Sequence, residues 1–474
     1  MSTQTANSGN VAGLNDYWLA RRDQLFLASC ISLIVTAMSF AIRGALIDPL
    51  GKQFDISNAN MGIIAGTAFW GFALATIIGG LLCDIVGMGR LLTLSFIGHT
   101  IGILLTIMAT GFWSLFLGTL AFGLANGCVE AACNPLIATL YPDQKIKRLG
   151  LFHAWFPGGI VIGGLAAWII TKLNIGVDPA GGMGYGWKIQ MATMILPLII
   201  YGFLFLGKKF PKTEREASGV SMSNMFQETL RPLYIIFVAC MILTAATELV
   251  TGTWLTSILG ATTGLYGNAI LLLVWISGLM AVGRMFAGPI VHRISPVVLL
   301  ITSAVFSAIG LFLLSRADSA VSGAFAATLF AFGVCFFWPT MLGVASERFP
   351  KTGALGLSVM GGLGMLSVAI FLPIVGGRVD EGIKAALPSG TTLEALQLAA
   401  AKSTTAADQL AAAQAAGGRA GMSFMVYLPI ILIFAFLAVY LYDRSRGGYR
   451  QETLIQDQLT PTEIGEALSP VNQA

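Results

Sequence analysis

Residues 126–159 read NGCVEAACNPLIATLYPDQKIKRLGLFHAWFPGG and join two apolar stretches through a short basic hinge. Glu130 lies well inside the run 112–140, which otherwise has the composition of a bilayer-crossing helix. A carboxylate at that depth costs about 2.5 kcal/mol or more even on lenient insertion scales, so an intramembrane acid points to function. Asn134 follows one helical turn later on the same face, and Pro135 loosens the backbone beside it. Beyond the hinge come His153, Trp155, Pro157 and the pair Gly158–Gly159, a second polar and aromatic cluster at the start of the next apolar run.

The composition agrees with a membrane setting. Of 474 residues, 56% are hydrophobic and 11% charged, against about 25% charged in an ordinary soluble domain. A globular exterior of this size would need far more charge, which makes the lipid bilayer the expected surroundings. The net charge of +4 sits in connecting loops, where it bears on membrane orientation and not on nucleic-acid binding. All six cysteines fall inside apolar runs without zinc-ligand spacing, so they read as small core residues. The first apolar run follows Arg21 and Arg22, is too long for a signal-peptide core, and reads as an uncleaved first span.

With about 20 apolar residues per crossing, the chain divides into spans near 25–47, 61–83, 91–110, 113–140, 149–171, 189–207, 232–257, 267–291, 297–315, 321–345, 354–376 and 422–442. An even number places both ends on one side. With both ends cytoplasmic, 17 of the 27 Lys and Arg fall in inner segments, 8 in outer ones, and only Arg43 and Arg284 inside spans. That bias predicts cytoplasmic termini in a plasma (inner) membrane.

The polar segment 208–231 separates an amino-terminal set of six spans (25–207) from a carboxy-terminal set (232–443), between a leading segment 1–24 and a tail 444–474. The two sets share landmarks. GGLLCDIVG at 79–87 answers AGPIVHRIS at 287–295, AFG at Ala121 recurs at Ala331, and Pro142 answers Pro350 at an offset of 208 positions. This is the pattern of a parallel six-span duplication. One outer insertion, 377–421, is rich in Ala, Gln and Thr and is expected to be a surface helix or partly ordered loop, with a substrate-capturing lid as the alternative.

GGLLCDIVGMGR, at Gly79–Arg90, resembles the signature loop of the major facilitator superfamily. The resemblance implies an all-α integral membrane fold of twelve transmembrane helices in two pseudo-symmetric six-helix bundles, working by alternating access, with Asp84 and Arg90 as gating residues. Met88 stands where that family often has arginine. GCVEAACNP at 127–135, GRMFAGPIVHRISP at 283–296 and WPTMLG at 338–343 resemble the fucose and hexose proton symporters of that superfamily. By that resemblance Glu130 matches an intramembrane carboxylate linked to proton movement and substrate binding. The family's second acid, four residues before the proline matching Pro49, is replaced here by Ala45; Arg43 and Asp48 stand nearby instead. By the same resemblance, a monomer is expected.

The remaining candidates each have a plain structural reading beside the functional one. Arg43 can offer a permanently charged fork to a hydroxyl-rich or anionic ligand, can pair with Glu130 or Asp48, or can snorkel to the outer surface. Asp48 joins Glu130 as a proton-coupling candidate. His153 faces the cavity by the family resemblance, or it satisfies a backbone carbonyl. Trp155, Trp254 and Trp338 can stack on a sugar or belong to interfacial belts. Glu248, in TELVTGTWL, is expected to line the cavity, and Arg284 either contacts an inner gate or snorkels.

No phosphate-binding loop, no Ser–His–Asp arrangement and no filter-like run is present. An enzyme, an ATP-driven pump and an ion channel are therefore not expected, and no cofactor or metal is implied. The expectation is a proton-coupled secondary transporter of a sugar-like small solute, with Arg43, Glu130, Asn134, His153 and Trp155 facing Glu248, Trp254 and Trp338. An organic-anion transporter and a non-transporting receptor or scaffold of the same fold are the alternatives.

Overall fold

The computed structural model describes residues 16–56, 58–177, 184–213, 216, 219–253, 270–286, 293–400 and 402–452. Trp254, and the side chain of Asp48, lie outside what is described. The described chain is helical throughout. Eleven helices are long and apolar enough to cross a membrane, and the shorter apolar helix Ile270–Met285 supplies the eighth of twelve spans.

In order, span 1 is Ala20–Leu46, span 2 Asn60–Val86, span 3 Met88–Ile107, span 4 Phe112–Leu140, span 5 Pro142–Lys172 and span 6 Gly186–Phe205. Span 7 is Pro232–Thr253, span 9 Pro296–Leu314, span 10 Ala320–Arg348, span 11 Pro350–Ala386 and span 12 Thr404–Ser445. Only Gly87, at φ +94°, separates spans 2 and 3. A side chain there would be strained, so a break this short requires glycine. Span 9 starts on Ser295, whose hydroxyl accepts from the Val298 amide, with Pro296 in the first turn.

Two apolar cores form, one drawn almost wholly from spans 1–6 and the other from spans 7–12. Their internal packing repeats. A Cβ on Gly102 would meet the Phe122 ring at 2.5 Å, and one on Gly310 would meet the Phe330 backbone at 2.5 Å. Both members of that pair are displaced by 208 residues, the offset already seen between Pro142 and Pro350. Each of those prolines opens a single 3-10 turn. Small residues matter because lipid supplies no hydrophobic drive between helices, so close backbone approach supplies the contact. Around the outside, Leu196, Phe203, Phe325 and Phe434 stand exposed as a lipid-facing surface requires.

The insertion 377–421 is helical. Span 11 runs on to Ala386, a short helix covers Leu393–Ala400, and Thr404 begins a helix that continues to Met425. Alanine favours helix, and glycines let the two long arms touch: a Cβ on Gly417 would meet the Val379 carbonyl at 2.6 Å.

The two halves meet mainly where span 2 lies along span 11 and span 5 along span 8. On the face carrying the chain's described ends the contact is tight. A Cβ on Gly80 would meet the Ser358 side chain at 2.3 Å, one on Gly343 would meet Ile146 at 2.5 Å, and Lys145 Nζ donates to the Ser346 carbonyl at 3.4 Å. Ala354 of span 11 is packed into the amino-terminal core. The chain is therefore shut on the face of its ends.

Gly80→Leu tests that closure. Overpacking of this kind costs about 1–3 kcal/mol, enough to move a two-state equilibrium about fivefold or more. Spin labels placed at positions 90 and 351 should report longer distances in the variant. An unchanged distance distribution would show that the span 2–span 11 crossing does not hold this face shut.

Candidate functional site

A cavity of about 890 Å³ lies between the halves, walled mostly by apolar side chains. Its lining runs from Ser39 and Asn126 to Leu50, Met61 and Pro373, toward the face opposite the chain's ends. Arg43, Thr106, Thr119 and Asn126 supply its polar wall on the amino-terminal side, and Glu248 and Ser277 on the other.

Arg43 reaches across to spans 3 and 4. Its Nη1 donates to Thr119 Oγ1 at 2.6 Å, and its Nη2 to Thr106 Oγ1 at 3.1 Å and the Gly118 carbonyl at 3.4 Å. The guanidinium carbon sits 4.8 Å from the centre of the Phe122 ring, a cation–π contact. Among the described residues no carboxylate pairs with it, and its buried Nε has no partner. It therefore neither pairs with Glu130 nor snorkels out, and its charge is held by hydroxyls, a carbonyl and an aromatic face.

Glu130, Asn134 and His153 are brought together as the sequence suggested, one layer beneath the cavity. Asn134 Nδ2 donates to Glu130 Oε2 at 2.6 Å, and His153 Nε2 lies 3.0 Å from Asn134 Oδ1. His153 Nδ1 stands 4.0 Å from Glu130 Oε1, and all three residues are at most 2% exposed. None of them lines the cavity, but Asn126 and Pro157 do, each four residues from Glu130 and His153. One helical turn, about 5.4 Å, thus separates this cluster from the cavity lining.

Arg284 connects that layer to the second half. Its Nη1 donates to the His153 carbonyl at 2.9 Å, its Nη2 to Glu248 Oε1 at 2.9 Å and its Nε to the Cys335 carbonyl at 2.5 Å. At 2% exposure it does not snorkel; it bridges spans 5, 8, 10 and 7 inside the protein. Glu248 sits in a π-helical turn, Ala246–Val250, a local widening frequent at functional sites. Its Oε2 is buried without a partner.

Trp155 and Trp338 stand apart from the cavity, whereas Trp70 lines it. Trp338 packs 6.4 Å from the His153 ring, its indole N–H without a partner, and Trp155 packs partly buried on the amino-terminal core. At the signature loop, Asp84 Oδ1 accepts from Thr213 Oγ1 of the linker at 2.6 Å, while Arg90 is exposed and reaches the Val86 carbonyl at 3.4 Å. The linker docks here a second time, with Phe210 against Gly89.

Sequence reasoning missed a chain of polar residues beside Arg43. His99, fully buried in span 3, lies between Tyr201 Oη (2.9 Å from Nδ1) and Asn126 Oδ1 (2.8 Å from Nε2). Asn126 Nδ2 donates onward to Ser39 Oγ at 3.3 Å. The signal was available: a histidine inside an apolar run, and an asparagine one turn before the singled-out acid.

The arrangement is a central cavity between two six-span halves, closed at one face and floored by buried charges. This is the layout of a membrane transporter that exposes one site alternately to two sides. Comparison places it further. Residues 28–373 match the family model of the Major Facilitator Superfamily, and the chain belongs to that family. It is similar to the cis,cis-muconate transport protein of Acinetobacter baylyi, 26% identical over 37% of this chain and 40% of that protein. It is similar to the gentisate transporter of Corynebacterium glutamicum, 23% identical over 38% and 39%. A D-xylose-proton symporter-like protein of Arabidopsis thaliana matches at 23% over 31% and 28%. These matches span about two fifths or less of the relatives' length.

In solved structures, the fold is similar to that of the transporter FucP in its outward conformation. The TM-score is 0.62 at 15% identity, covering 86% of this chain and 98% of that one. It is also similar to a bacterial homologue of the lysosomal transporter Spinster, with TM-score 0.64 at 16% identity over 95% and 100%. The family and these relatives are transporters, not enzymes.

Removing one partner of a buried ion pair typically costs about 3–5 kcal/mol, because the other charge is stranded. Arg284→Met should therefore lower the thermal unfolding midpoint in detergent more than the double variant Glu248→Leu/Arg284→Met does. Simple addition of the two single losses would mean that the pair is not energetically coupled.

Proposed function

We propose that the protein is a secondary active transporter that carries a small organic carboxylate through the central cavity, with Arg43 as the anion-binding fork. The observation that carries this reading is Arg43 itself: a permanent cation on the wall of an apolar cavity, with no carboxylate partner among the described residues. A carboxylate on an apolar body complements such a wall, since it supplies the missing charge and leaves the rest of the molecule against carbon. Two relatives are named for muconate and gentisate, both organic anions. Substrate then enters from the face opposite the described ends, and the charge bias along the sequence favours that face as the outer one.

Proton coupling belongs to the same reading. Glu130, Asn134 and His153 form a buried hydrogen-bonded set one turn below the cavity. Arg284 ties that set to Glu248 on the cavity wall. A proton taken up on Glu130 or His153 would change the contacts of an element shared by both halves, which is how uptake can be linked to alternation.

Monosaccharide symport is the second reading. The hydroxyls and amide of Ser39, Thr106, Thr119 and Asn126 on the cavity wall favour it, as does the likeness to sugar carriers. Trp155 and Trp338 lie outside the lining, so Trp70 is the described tryptophan left to stack on a sugar there.

Uptake into proteoliposomes under an imposed pH gradient separates the readings. Radiolabelled gentisate or cis,cis-muconate should enter, while D-xylose and L-fucose should not. Arg43→Gln should lower kcat/KM by about 10²-fold, and Arg43→Lys by less, since lysine keeps the charge without the planar fork. Sugar uptake without carboxylate uptake would overturn the anion reading. Gradient-driven uptake by Glu130→Gln at the wild-type rate would remove Glu130 from coupling.

A further inference from the structure

The chain from Tyr201 to Ser39 has a direction that can be worked out from its far end. Ser39 Oγ lies 2.6 Å from the Thr36 carbonyl, an obligate acceptor, so the single hydroxyl proton of Ser39 is committed there. Ser39 must then accept from Asn126, which fixes the amide with Nδ2 toward Ser39 and Oδ1 toward His99. Asn126 Oδ1 can only accept, so His99 carries its proton on Nε2. That leaves Nδ1 bare to accept from the Tyr201 hydroxyl. Every link is set by the one before it, and all four side chains are at most 2% exposed.

The consequence falls on the cavity. Asn126 lines it, and only one of the two amide hydrogens is used by Ser39. The second N–H has no partner among the described residues. Four residues along span 1 from Ser39 stands Arg43, on the same helix face, bonded to Thr119 on the face of span 4 that also carries Asn126. Phe122 touches both Arg43 and His99, 4.8 Å from the guanidinium carbon and 5.0 Å from the centre of the His99 ring. The amino-terminal wall is thus a strip of donors with no carboxylate among its described residues.

We infer that Asn126 is a second contact of the transported carboxylate, and that His99 is a positioning residue whose Nε2–H locks the amide with its N–H, not its carbonyl, toward the cargo. This rests on the anion reading above and deepens it. Without His99 only the 3.3 Å bond to Ser39 holds the amide, and a turn of the Ser39 hydroxyl from the Thr36 carbonyl toward Asn126 lets the amide turn over. Its oxygen would then face the cavity, and the wall would accept a neutral amide or hydroxyl as readily as an anion.

The test uses the full-length protein in detergent, with benzoate and its neutral isostere benzamide as probes and binding read by thermal shift. Wild type should be stabilised by benzoate at concentrations where benzamide has no effect. His99→Phe, which keeps the ring packing and removes the donor, should lose that preference by about tenfold or more in apparent Kd, as expected for a hydrogen bond to a charged group. His99→Gln, whose side-chain N–H can take over the bond to Asn126 Oδ1, should retain most of it; a merely structural role would not sort the two variants by their donor. Asn126→Asp gives an arm that does not depend on His99→Phe folding, and it should abolish the benzoate preference. A benzoate preference kept in both His99→Phe and Asn126→Asp overturns the inference and leaves the Arg43 reading standing. A wild type that does not distinguish benzoate from benzamide overturns the anion reading, and with it this one.

Discussion

A charge taken out of water must be met inside the protein, and this fold meets its charges across the line between its halves. Arg284 is the clearest case. Its three described bonds go to a carbonyl of span 5, a carbonyl of span 10 and the carboxylate of Glu248 in span 7. The first belongs to the amino-terminal half and the other two to the carboxy-terminal half. In a low-dielectric interior such bonds are strong when complete and expensive when broken. The two halves are therefore not simply pressed together by shape; they share an electrostatic clasp. Any movement that separates span 5 from span 8 must either carry His153 with Arg284 or give Arg284 another partner.

That clasp lies between two kinds of surface. Toward the chain's described ends, glycines at 80 and 343 let the halves approach closely, Gly80 against Ser358 and Gly343 against Ile146. Toward the opposite face the same helices diverge and leave the cavity. Small residues make closure cheap to reach and sensitive to volume, because one added methylene is felt at such distances. The buried ions make it conditional on partners. A transporter needs both properties: a face that can shut without water, and a reason to open that depends on what occupies the centre.

The architecture was legible because membrane helices announce themselves by length and composition alone. All twelve spans were visible, and the repeat in the sequence, read from landmarks such as Pro142 and Pro350, is matched by packing at the same offset, Gly102 against Phe122 and Gly310 against Phe330. The site was legible by chemical type but not by depth. Glu130, Asn134 and His153 do meet, since two of them share a helix face and the third follows the hinge. Whether a residue lines a cavity or lies one turn beneath it depends on helix rotation to within about 100° per residue, and apolar periodicity is too weak in a helix buried on most sides to set that rotation. His99 was passed over for a related reason. It has no charged neighbour in sequence, and its partners, Asn126 and Tyr201, come from spans 4 and 6.

The two intramembrane arginines show how far partner choice can be turned into an argument about cargo. Both are isolated in apolar helices, and sequence alone treats them alike. Arg284 has a carboxylate and two carbonyls, so its charge is answered by the protein in the state seen here. Among the described residues Arg43 has two hydroxyls, a carbonyl and the face of Phe122, which solvate a guanidinium but do not neutralise it. A cation left in that condition on a cavity wall raises the local affinity for anions whatever the fold's ancestry. Glu248 stands on the facing wall with one oxygen bound to Arg284 and the other without a partner. The cavity is therefore polarised, donors on the amino-terminal side and an acceptor on the carboxy-terminal side. A molecule that puts a carboxylate against Arg43 and a hydroxyl toward Glu248 would satisfy both walls at once, and so would couple the two halves through its own contacts.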